Sequence, residues 1–435
     1  MDESLQYLHR VATSVVYGSR VRPGEAIGAI RNTTPWVLRV PGATREYYPC
    51  FWVRDAAMML GADFIDADEV AGWVRLVASV QNGDKELALA NGLCVPPWSI
   101  PDHITLAGAP CWYPGAMDGP AQGDGTYGFL PPADNAFYFI AMVREHLRLR
   151  ASPALWMERL AVPSGTRTVR EACERAFQSV EADAATGLVI CSEERGRTRV
   201  DWGFCDTVRK TGLCLFPSLL RWRAALDLAE LCDEAGDGGA ANRWRREATR
   251  VRRSIGTFYR RSGEFEGQEA GLLLSATGLG RKDDLWGSAF AVWLGVLDPS
   301  MEAAVARGLA RAAQGDALYL GQLRHLTREG PYGGFWEQCS AAQGTYQNGG
   351  HWGTPTGWLV DAVARADARL AERILTDYVT HIRGEREQGA PWEWISPEGN
   401  ARRNPQYAAS AALPWIAIQS GHGRPSKRRR SSTGE

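Results

Sequence analysis

Residues 201–212 combine two carboxylates, Asp201 and Asp206, with two aromatic rings, Trp202 and Phe204, directly before a long helical pattern. Aromatic walls exclude water from a neighbouring carboxyl group and raise its pKa, so that it still carries a proton near neutral pH. This density of rings favours a pocket over a surface turn. We therefore predict a half-desolvated acid here, and the residues themselves leave both Asp201 and Asp206 as candidates.

A second carboxylate, Glu393, stands between Trp392 and Trp394. It either lies in a binding cleft or makes structural hydrogen bonds to the backbone of a tight loop. Glycosidic hydrolysis needs two carboxyl groups on opposite sides of a neutral sugar. One donates a proton to the leaving oxygen, and the other activates water or attacks the anomeric carbon. The two stretches together favour this reaction, with Glu393 as the general base.

Several other clusters have side chains that suit a polyhydroxylated ligand. The charged groups of Arg54 and Asp55, at the start of an apolar helix, need polar partners. They either form a structural ion pair or make hydrogen bonds to sugar hydroxyls. Asp134 precedes another helical run, where it is a helix N-cap or a ligand-binding residue. Residues 346–358 interleave amide, imidazole and indole groups with glycines, and we expect His351 to donate hydrogen bonds without acting as a base. The complete set of predicted sugar-binding residues is Trp52, Arg54, Asp55, Asp134, Trp202, Arg209, Trp286, Gln347, Asn348, His351, Trp352, Trp358, Trp392 and Trp394.

The composition narrows the function further. A formal net charge of -1 gives no reason to expect a nucleic acid or an anionic membrane as partner, whereas 17 tryptophans favour stacking on sugars. The 9 cysteines and 7 histidines have no metal-ligand spacing, so we predict no metal and no cofactor. An acidic start and the absence of an apolar run of about 18 residues predict a protein of the cytoplasm without a membrane span. The sequence leaves the oligomeric state open.

Helical periodicity dominates the chain. We expect helices at about 3–17, 52–63, 67–81, 134–151, 166–182, 212–235, 239–259, 284–297, 299–313, 352–367, 368–384 and 405–419. Some of these are amphipathic and others are apolar nearly all round, and alternation of outer and inner helices predicts an all-α (α/α)6 toroid of helical hairpins. An irregular bundle or a solenoid is the alternative, although no fixed repeat is present. We predict one catalytic domain over 1–421, with long loops at the active-site end, and a basic disordered tail over 422–435.

These segments resemble the six-hairpin (α/α)6-barrel glycosidases, which include trehalase, glucoamylase, the glycogen-debranching amylo-α-1,6-glucosidase domain, and the mannosylglycerate and glucosylglycerate hydrolases. The stretch 52–55 looks like the Arg-Asp element that holds the terminal sugar. The stretch 346–358 is similar to the elements that line the sugar subsite. The resemblance extends through most of residues 45–419 as separate motifs.

The resemblance also implies roles for the two carboxylates. The stretch 202–212 is similar to the segment that carries the general acid, which maps best onto Asp206. The families place this acid directly after a tryptophan, whereas Gly203 follows Trp202 here, so Asp201 stays as the alternative. The stretch 392–399 looks like the segment that carries the general base, which maps onto Glu393.

We therefore predict an inverting, exo-acting glycoside hydrolase for an α-linked glucoside or a related small oligosaccharide. The same toroid hosts several chemistries, so a sugar epimerase or lyase is the alternative among enzymes. Those enzymes use His or Tyr for proton transfer. A non-catalytic carbohydrate-binding protein is the alternative from another class.

Overall fold

Helices make up most of the regular structure in this computed structural model, which describes residues 2–61, 64–114, 130–162, 165–191, 206–260, 271–328, 333–385, 389–397 and 401–420. In these ranges the α-helices are α1 (Asp2–Gly18), α2 (Val53–Met58), α3 (Ala67–Ser79), α4 (Asn135–Arg150), α5 (Ala154–Met157), α6 (Val169–Ser179), α7 (Leu215–Glu234), α8 (Gly238–Phe258), α9 (Leu285–Leu294), α10 (Pro299–Gln314), α11 (Thr356–Ala364), α12 (Ala368–Gly384) and α13 (Ala408–Ser420). Each expected helix is present. The short α5 is additional, because one turn is too brief to show a period.

Six helices form a closed inner ring. In chain order α2, α4, α7, α9, α11 and α13 each contact the next, and α13 contacts α2 to close the ring. The outer helices pack against this ring: α3 and α6 on α4, α8 on α7, α10 on α9, α12 on α11 and α1 on α13. This arrangement is an (α/α)6 barrel, and it confirms the predicted fold class.

Burial separates the two sets of helices as the sequence predicted. Helix α7 is buried along most of its length and α9 is buried almost throughout, whereas α8 and α12 bury one stripe and expose the other. Aromatic rings of the inner helices meet in the barrel core, where Phe290 lies 4.8 Å from Phe216 and 4.6 Å from Trp358 between ring centroids. A helix that is apolar on all sides is stable only in such an interior.

The two sets also begin differently, except that the inner helix α9 is capped by the Asp284 side chain. The outer helices α3, α6, α8, α10 and α12 each start at an Asp or Thr whose side chain accepts a hydrogen bond from the first turn. Helices α2, α4, α7 and α11 of the inner ring start without such a side-chain cap. Capping by Asp and Thr satisfies orphan N–H groups at surface helix starts. Helices α2 and α11 begin beside the loops that form the candidate site.

Strands are short, antiparallel and confined to the connections between helices. In the described ranges they are β1 (Arg20–Val21), β2 (Ala26–Ile27), β3 (Ile30–Arg31), β4 (Leu38–Arg39), β5 (Cys50–Trp52), β6 (Leu87–Ala88), β7 (Cys94–Val95), β8 (His103–Thr105), β9 (Pro110–Cys111), β10 (Arg159–Val162), β11 (Gly165–Thr168), β12 (Ile190–Cys191), β13 (Gly212–Leu213), β14 (Leu318–Tyr319), β15 (Gln322–Leu323), β16 (Trp392–Ser396) and β17 (Ala401–Pro405). Two groups matter for the site: the sheet β5–β8–β9, and the hairpin β16–β17.

Two further observations bear on the sequence predictions. No helix in the described ranges combines the length and the apolar character needed to cross a membrane. The predicted basic tail, 422–435, lies outside the described residues.

Candidate active site

A cavity of about 570 Å³ opens where the inner helices α2, α11 and α13 begin. Its walls come from distant parts of the chain. The lining residues are Pro41, Tyr48, Trp52, Arg54, Asp55, Pro114, Asp206, Thr207, Ser340, Ala341, Tyr346, Gln347, Trp352, Glu393, Trp394, Arg403, Asn404 and Tyr407. This volume lies within the range of small-molecule sites. Both first-choice catalytic residues, Asp206 and Glu393, therefore face one space.

The two carboxyl oxygens of Asp206 differ in hydrogen bonding. Its Oδ2 accepts a hydrogen bond of 3.3 Å from the Tyr346 hydroxyl. Its Oδ1 is buried and has no hydrogen-bond partner among the described residues. Burial raises the pKa of Asp206 to about 7, although the nearby Arg54 guanidinium opposes this shift. A buried carboxyl group with an unbonded oxygen is suited to carry a proton that it can donate.

The backbone after Asp206 is fastened to the loop that precedes α11. The amide N–H and the hydroxyl of Thr207 both donate to Gln347 Oε1, at 3.0 and 2.8 Å. Val208 forms a β-bridge with Cys339, and the amide of Arg209 donates to the carbonyl of Gln338 at 3.1 Å. Two loops far apart in sequence thus hold Asp206 in place from one side.

Glu393 lies in β16 and has hydrogen-bond donors on both oxygens. The Tyr48 hydroxyl lies 3.4 Å from Oε1 and 3.2 Å from Oε2. The Asn404 amide, from the neighbouring strand β17, donates to Oε2 and also to the Tyr48 hydroxyl at 2.9 Å. Burial raises the pKa of Glu393 well above its ordinary value, whereas the Asn404 and Tyr48 hydrogen bonds lower it. Donors on both oxygens favour the ionised form of a carboxyl group.

Asp55 is a third buried carboxylate of the cavity. Its Oδ1 accepts a hydrogen bond of 2.7 Å from the Tyr407 hydroxyl. Burial raises its pKa to about 6, and the Tyr407 hydrogen bond and the Arg54 charge oppose the shift. Asp55 therefore stays largely ionised at neutral pH and can accept hydrogen bonds from a ligand.

Arg54 makes a buried, two-point ion pair with Asp134. Its Nε and Nη2 atoms donate to the two oxygens of Asp134 at 2.8 and 3.1 Å. Asp134 stands directly before α4, yet its side chain makes no capping hydrogen bond. Its carboxylate orients Arg54 instead, and it lies behind the cavity wall. Such a pair satisfies both charges, which are costly to bury alone.

Aromatic rings form the other walls. Trp352 contacts Tyr346 at 5.1 Å and Tyr407 at 6.3 Å between ring centroids. Its indole N–H donates to the carbonyl of Tyr346 at 3.2 Å. Trp286 is fully buried behind Trp352, 5.6 Å away in an edge-on contact. Trp286 thus supports a lining ring and does not line the cavity itself.

Of the predicted residues, the cavity brings together Asp206, Glu393, Trp52, Arg54, Asp55, Gln347, Trp352 and Trp394. The predicted residues that do not line it are Asp134, Arg209, Trp286, Asn348, His351, Trp358 and Trp392. Asp201 and Trp202 lie outside the described residues. The choice between Asp201 and Asp206 as the acid therefore stays a prediction.

The residues away from the cavity have other contacts. Asn348 shapes its own loop, accepting from the Trp336 amide at 3.0 Å and donating to the Ala341 carbonyl at 2.9 Å. His351 is buried, and burial lowers its pKa to about 3, so it is neutral. Trp358 lines a separate cavity of about 470 Å³ formed by later turns of the inner helices. The Arg402 guanidinium lies 5.2 Å over the Trp392 ring.

Four lining residues that contact the three carboxylates were not predicted from the sequence: Tyr48, Tyr346, Asn404 and Tyr407. Tyr48 ends a run of two tyrosines four residues before Trp52, a signal that could have marked it. Asn404 has no such signal in the sequence. Tyr346 and Asn404 have positive φ angles of 44° and 50°. Strained backbone of this kind is concentrated at functional sites.

The described residues also bear on whether the cavity could hold a metal ion. Within the described ranges, no three His, Cys, Asp or Glu side chains group in a way that could hold a metal ion. The carboxylates of the cavity have hydroxyl, amide and guanidinium partners.

No protein-family model matches the sequence, and neither does any curated protein. Solved structures do match the fold. A mannosylglycerate hydrolase from Thermus thermophilus in complex with glucose aligns with a TM-score of 0.56 and 14% identity, over 94% of this chain and 99% of that chain. A glucoamylase from Saccharomycopsis fibuligera aligns at 0.54 and 11% identity, over 97% of this chain and 94% of that chain. A rhamnosidase from Klebsiella oxytoca aligns at 0.53 and 11% identity, over 98% of this chain and 65% of that chain.

These structures share the six-hairpin (α/α)6 fold, which confirms the structural part of the resemblance seen in the motifs. At 11–15% identity, a shared fold says nothing by itself about the reaction or the substrate. The chain therefore has the fold of the six-hairpin glycosidases, and the carboxylates Asp206 and Glu393 line one cavity of about 570 Å³.

Proposed function

We propose that this protein is a glycoside hydrolase. The observation that carries the proposal is the presence of a buried carboxyl group, Glu393, and a partly buried one, Asp206, in one cavity whose other walls are aromatic rings and hydrogen-bonding groups. Opposed carboxyl groups around a sugar-sized space are what glycosidic hydrolysis requires. The fold shared with three sugar-cleaving enzymes supports the same reaction class.

Asp206 is the general acid in this proposal, and Glu393 is the general base. A proton on the Asp206 carboxyl group, whose pKa burial raises to about 7, can pass to the glycosidic oxygen as the bond breaks. Glu393 receives hydrogen bonds from Tyr48 and Asn404, which favour its ionised form and leave it able to take a proton from water. The charge of Asp206 raises the pKa of Glu393, so the two groups titrate as a coupled pair.

We further propose an inverting mechanism. In this mechanism a water molecule attacks from the side opposite to the leaving group, and the two carboxyl groups lie about 6.5–9.5 Å apart to admit it. Asp206 and Glu393 come from distant parts of the chain, Glu393 from β16, and both line the cavity. Arg54, Asp55, Trp52 and Trp352 hold the terminal sugar, and Trp286 and Asn348 support this wall from behind.

An α-linked glucoside, or a related small oligosaccharide, is the proposed substrate, and cleavage is exo-acting. A cavity enclosed by loops from several helices suits the end of a chain better than its middle. The glucose bound by the mannosylglycerate hydrolase of the same fold supports a hexose in this position. Seven of the eight cysteines in the described part are buried and pack as small apolar groups, and the cytoplasm is the proposed working compartment.

The test is hydrolysis of a panel of small α- and β-glycosides by wild type, Asp206→Asn, Glu393→Gln and Asp201→Asn. Proton NMR would follow the anomeric form of the released sugar. We expect turnover with inversion, reduced by at least about 1,000-fold in Asp206→Asn and in Glu393→Gln. Asp201→Asn should retain most of the activity.

Three other outcomes would change the proposal. Loss of activity in Asp201→Asn with retention in Asp206→Asn would move the acid to Asp201. Turnover that survives in Glu393→Gln would remove the base assignment. A folded wild type that cleaves no glycoside would contradict the hydrolase itself.

A further inference from the structure

Directly behind Trp52 lies a buried imidazole, His103, which does not line the cavity. The two residues are direct cross-strand partners on β5 and β8. Their rings stack with centroids 4.0 Å apart and an angle of 21° between planes. Side chains that are opposite each other on an antiparallel pair project to the same face, so this register brings the rings together. One face of Trp52 is covered by His103, and Trp52 also forms part of the cavity wall.

His103 is joined to the charged wall of the cavity through Asp102. Its Nδ1 atom lies 2.8 Å from Asp102 Oδ2. The other oxygen of Asp102 accepts from Asn135 Nδ2 at 3.5 Å and lies 3.9 Å from Arg54 Nη2. A continuous polar chain therefore runs from the back of Trp52 to Arg54, which contacts the sugar in the proposed function.

His103 is charged at neutral pH. Burial lowers its pKa, but the side chains of Asp102 and Cys111 outweigh this effect and raise it to about 9. The groups that face the ring are Trp52 on β5, Asp102 beside it on the chain, and Cys111 on β9. An imidazolium sandwiched against an indole face is a cation–π contact, which is stronger when both groups are buried.

The charges behind the wall cancel when His103 is protonated. Arg54 and His103 are positive, and their partners Asp134 and Asp102 are negative. The negative charge of Asp102 reaches the cavity, because it raises the pKa of both Asp206 and Asp55, whereas Arg54 lowers them. Without the imidazolium, Asp102 would act on Asp206 as an uncompensated charge.

We propose that His103 is a positioning residue for the site, resting on the hydrolase function proposed above. Its charged ring holds Trp52 flat as the wall against which the sugar stacks. It also cancels the charge of Asp102, so that the general acid Asp206 faces a neutral wall. His103 touches neither the substrate nor the reacting atoms and acts only through Trp52 and Asp102.

The kinetic test compares wild type with His103→Gln, which keeps a hydrogen bond to Asp102 but removes the ring and the charge. KM should rise about threefold to tenfold because Trp52 loses its stacking partner. The alkaline limb of the kcat/KM profile should move to higher pH by about half a unit or more, because a negative charge behind Asp206 favours its protonated form. His381→Gln, at a partly buried histidine on the outer helix α12, is the control and should change neither quantity.

A direct readout uses NMR of the histidine side chains across pH 5–10. The signal that disappears in His103→Gln identifies His103. We expect it to titrate near pH 9 and to be shifted upfield by the Trp52 ring, a shift that Trp52→Leu should remove. A titration near or below pH 6.5 overturns the proposal, because the ring would then be neutral in the working enzyme.

The outcomes separate this proposal from the hydrolase proposal. Wild-type turnover with an unchanged KM and pH profile in His103→Gln overturns the role of His103 alone. Absence of turnover in wild type contradicts the hydrolase and with it the positioning of an acid. If His103→Gln does not fold, His103→Asn and the NMR titration of the wild type still decide whether the ring is charged and stacked.

Discussion

At the scale of single residues, the two proposed catalytic groups differ in what surrounds their oxygens. Asp206 has one tyrosine donor and one buried oxygen without a partner, whereas Glu393 has donors on both oxygens. Burial raises the pKa of Asp206 to about 7 and that of Glu393 well above its ordinary value, and the Asn404 and Tyr48 donors oppose the shift at Glu393. In the proposed mechanism these donors favour the ionised form of Glu393, and Asp206 carries the proton.

Removal of the Tyr48 hydroxyl should weaken the base. Tyr48→Phe deletes a hydrogen bond to Glu393 and leaves the ring in place. A hydrogen bond to a charged group contributes about 1.5–3 kcal/mol, so kcat should fall about 10-fold to 100-fold. Steady-state kinetics on the best glycoside would measure this effect. Tyr17→Phe, at an exposed tyrosine of α1, is the control, and an equal loss in both variants would contradict the assignment.

The pH dependence of catalysis should report Asp206. Burial raises its pKa to about 7, so the acid loses its proton, and kcat/KM falls, as the pH rises through this value. The measurement is a kcat/KM profile from pH 4 to pH 10. Full activity maintained up to pH 9 would show that Asp206 does not supply the proton.

At the scale of elements, the site depends on where the inner helices begin. Trp52, Arg54 and Asp55 lie at the start of α2, and Tyr407 stands directly before α13. The hairpin β16–β17 places Glu393 and Asn404 on adjacent strands. These helix starts lie at the same end of the barrel. The closed ring of inner helices therefore brings their side chains together around one cavity. Close packing of the ring is therefore a requirement for the site.

A substitution at Gly357, where α11 packs against α13, would test this packing. A Cβ atom there would lie 2.6 Å from Pro414 Cα and 2.8 Å from Ala417 Cβ, so Gly357→Ala must push the helices apart. We expect it to destabilise the protein by about 1–3 kcal/mol. Gly384→Ala, at the end of α12 with open space around it, should be close to neutral. Urea unfolding would measure both variants, and equal stability of the two would contradict the proposed crowding.

At the scale of the whole molecule, the cavity brings several carboxyl groups together, and their burial reduces the stability of the folded protein. Asp55, Asp206 and Glu393 all have a raised pKa because of burial. A carboxyl group with a raised pKa in the folded state binds more protons than in the unfolded state. Its contribution to stability therefore falls as the pH rises from the unfolded to the folded pKa. Function and stability thus oppose each other at this site.

Asp206→Asn should reveal this opposition. As the pH rises from about 4 to about 7, the free energy of unfolding of the wild type falls relative to that of the variant. Above about pH 7 the difference between the two stays constant. We expect a higher Tm for the variant, with a larger gap at pH 8 than at pH 5. Asp377→Asn, on the exposed face of α12, should show no such trend. A gap that does not change with pH would mean that Asp206 ionises normally in the folded protein.

The helices and the fold class could be predicted from the sequence because they depend on local patterns. Apolar spacing marks α9 as an interior helix and α8 as an exterior helix, and the structure confirms this division. The carboxylates Asp206 and Glu393 could be selected because aromatic residues stand beside them in the sequence. In the described structure, however, the rings that contact them are the distant Tyr346 and Tyr48.

Only the tertiary structure decided which side chains share the cavity. Tyr48 meets Glu393 across 345 residues, a contact that no local pattern encodes. Trp352 and Trp358 look alike in the sequence, yet Trp352 lines the cavity and Trp358 lines the second cavity inside the barrel. The physical reason is that composition and periodicity determine whether a segment is helical and which side is buried. Closure of the ring determines which loops meet, and therefore which polar groups surround each carboxylate.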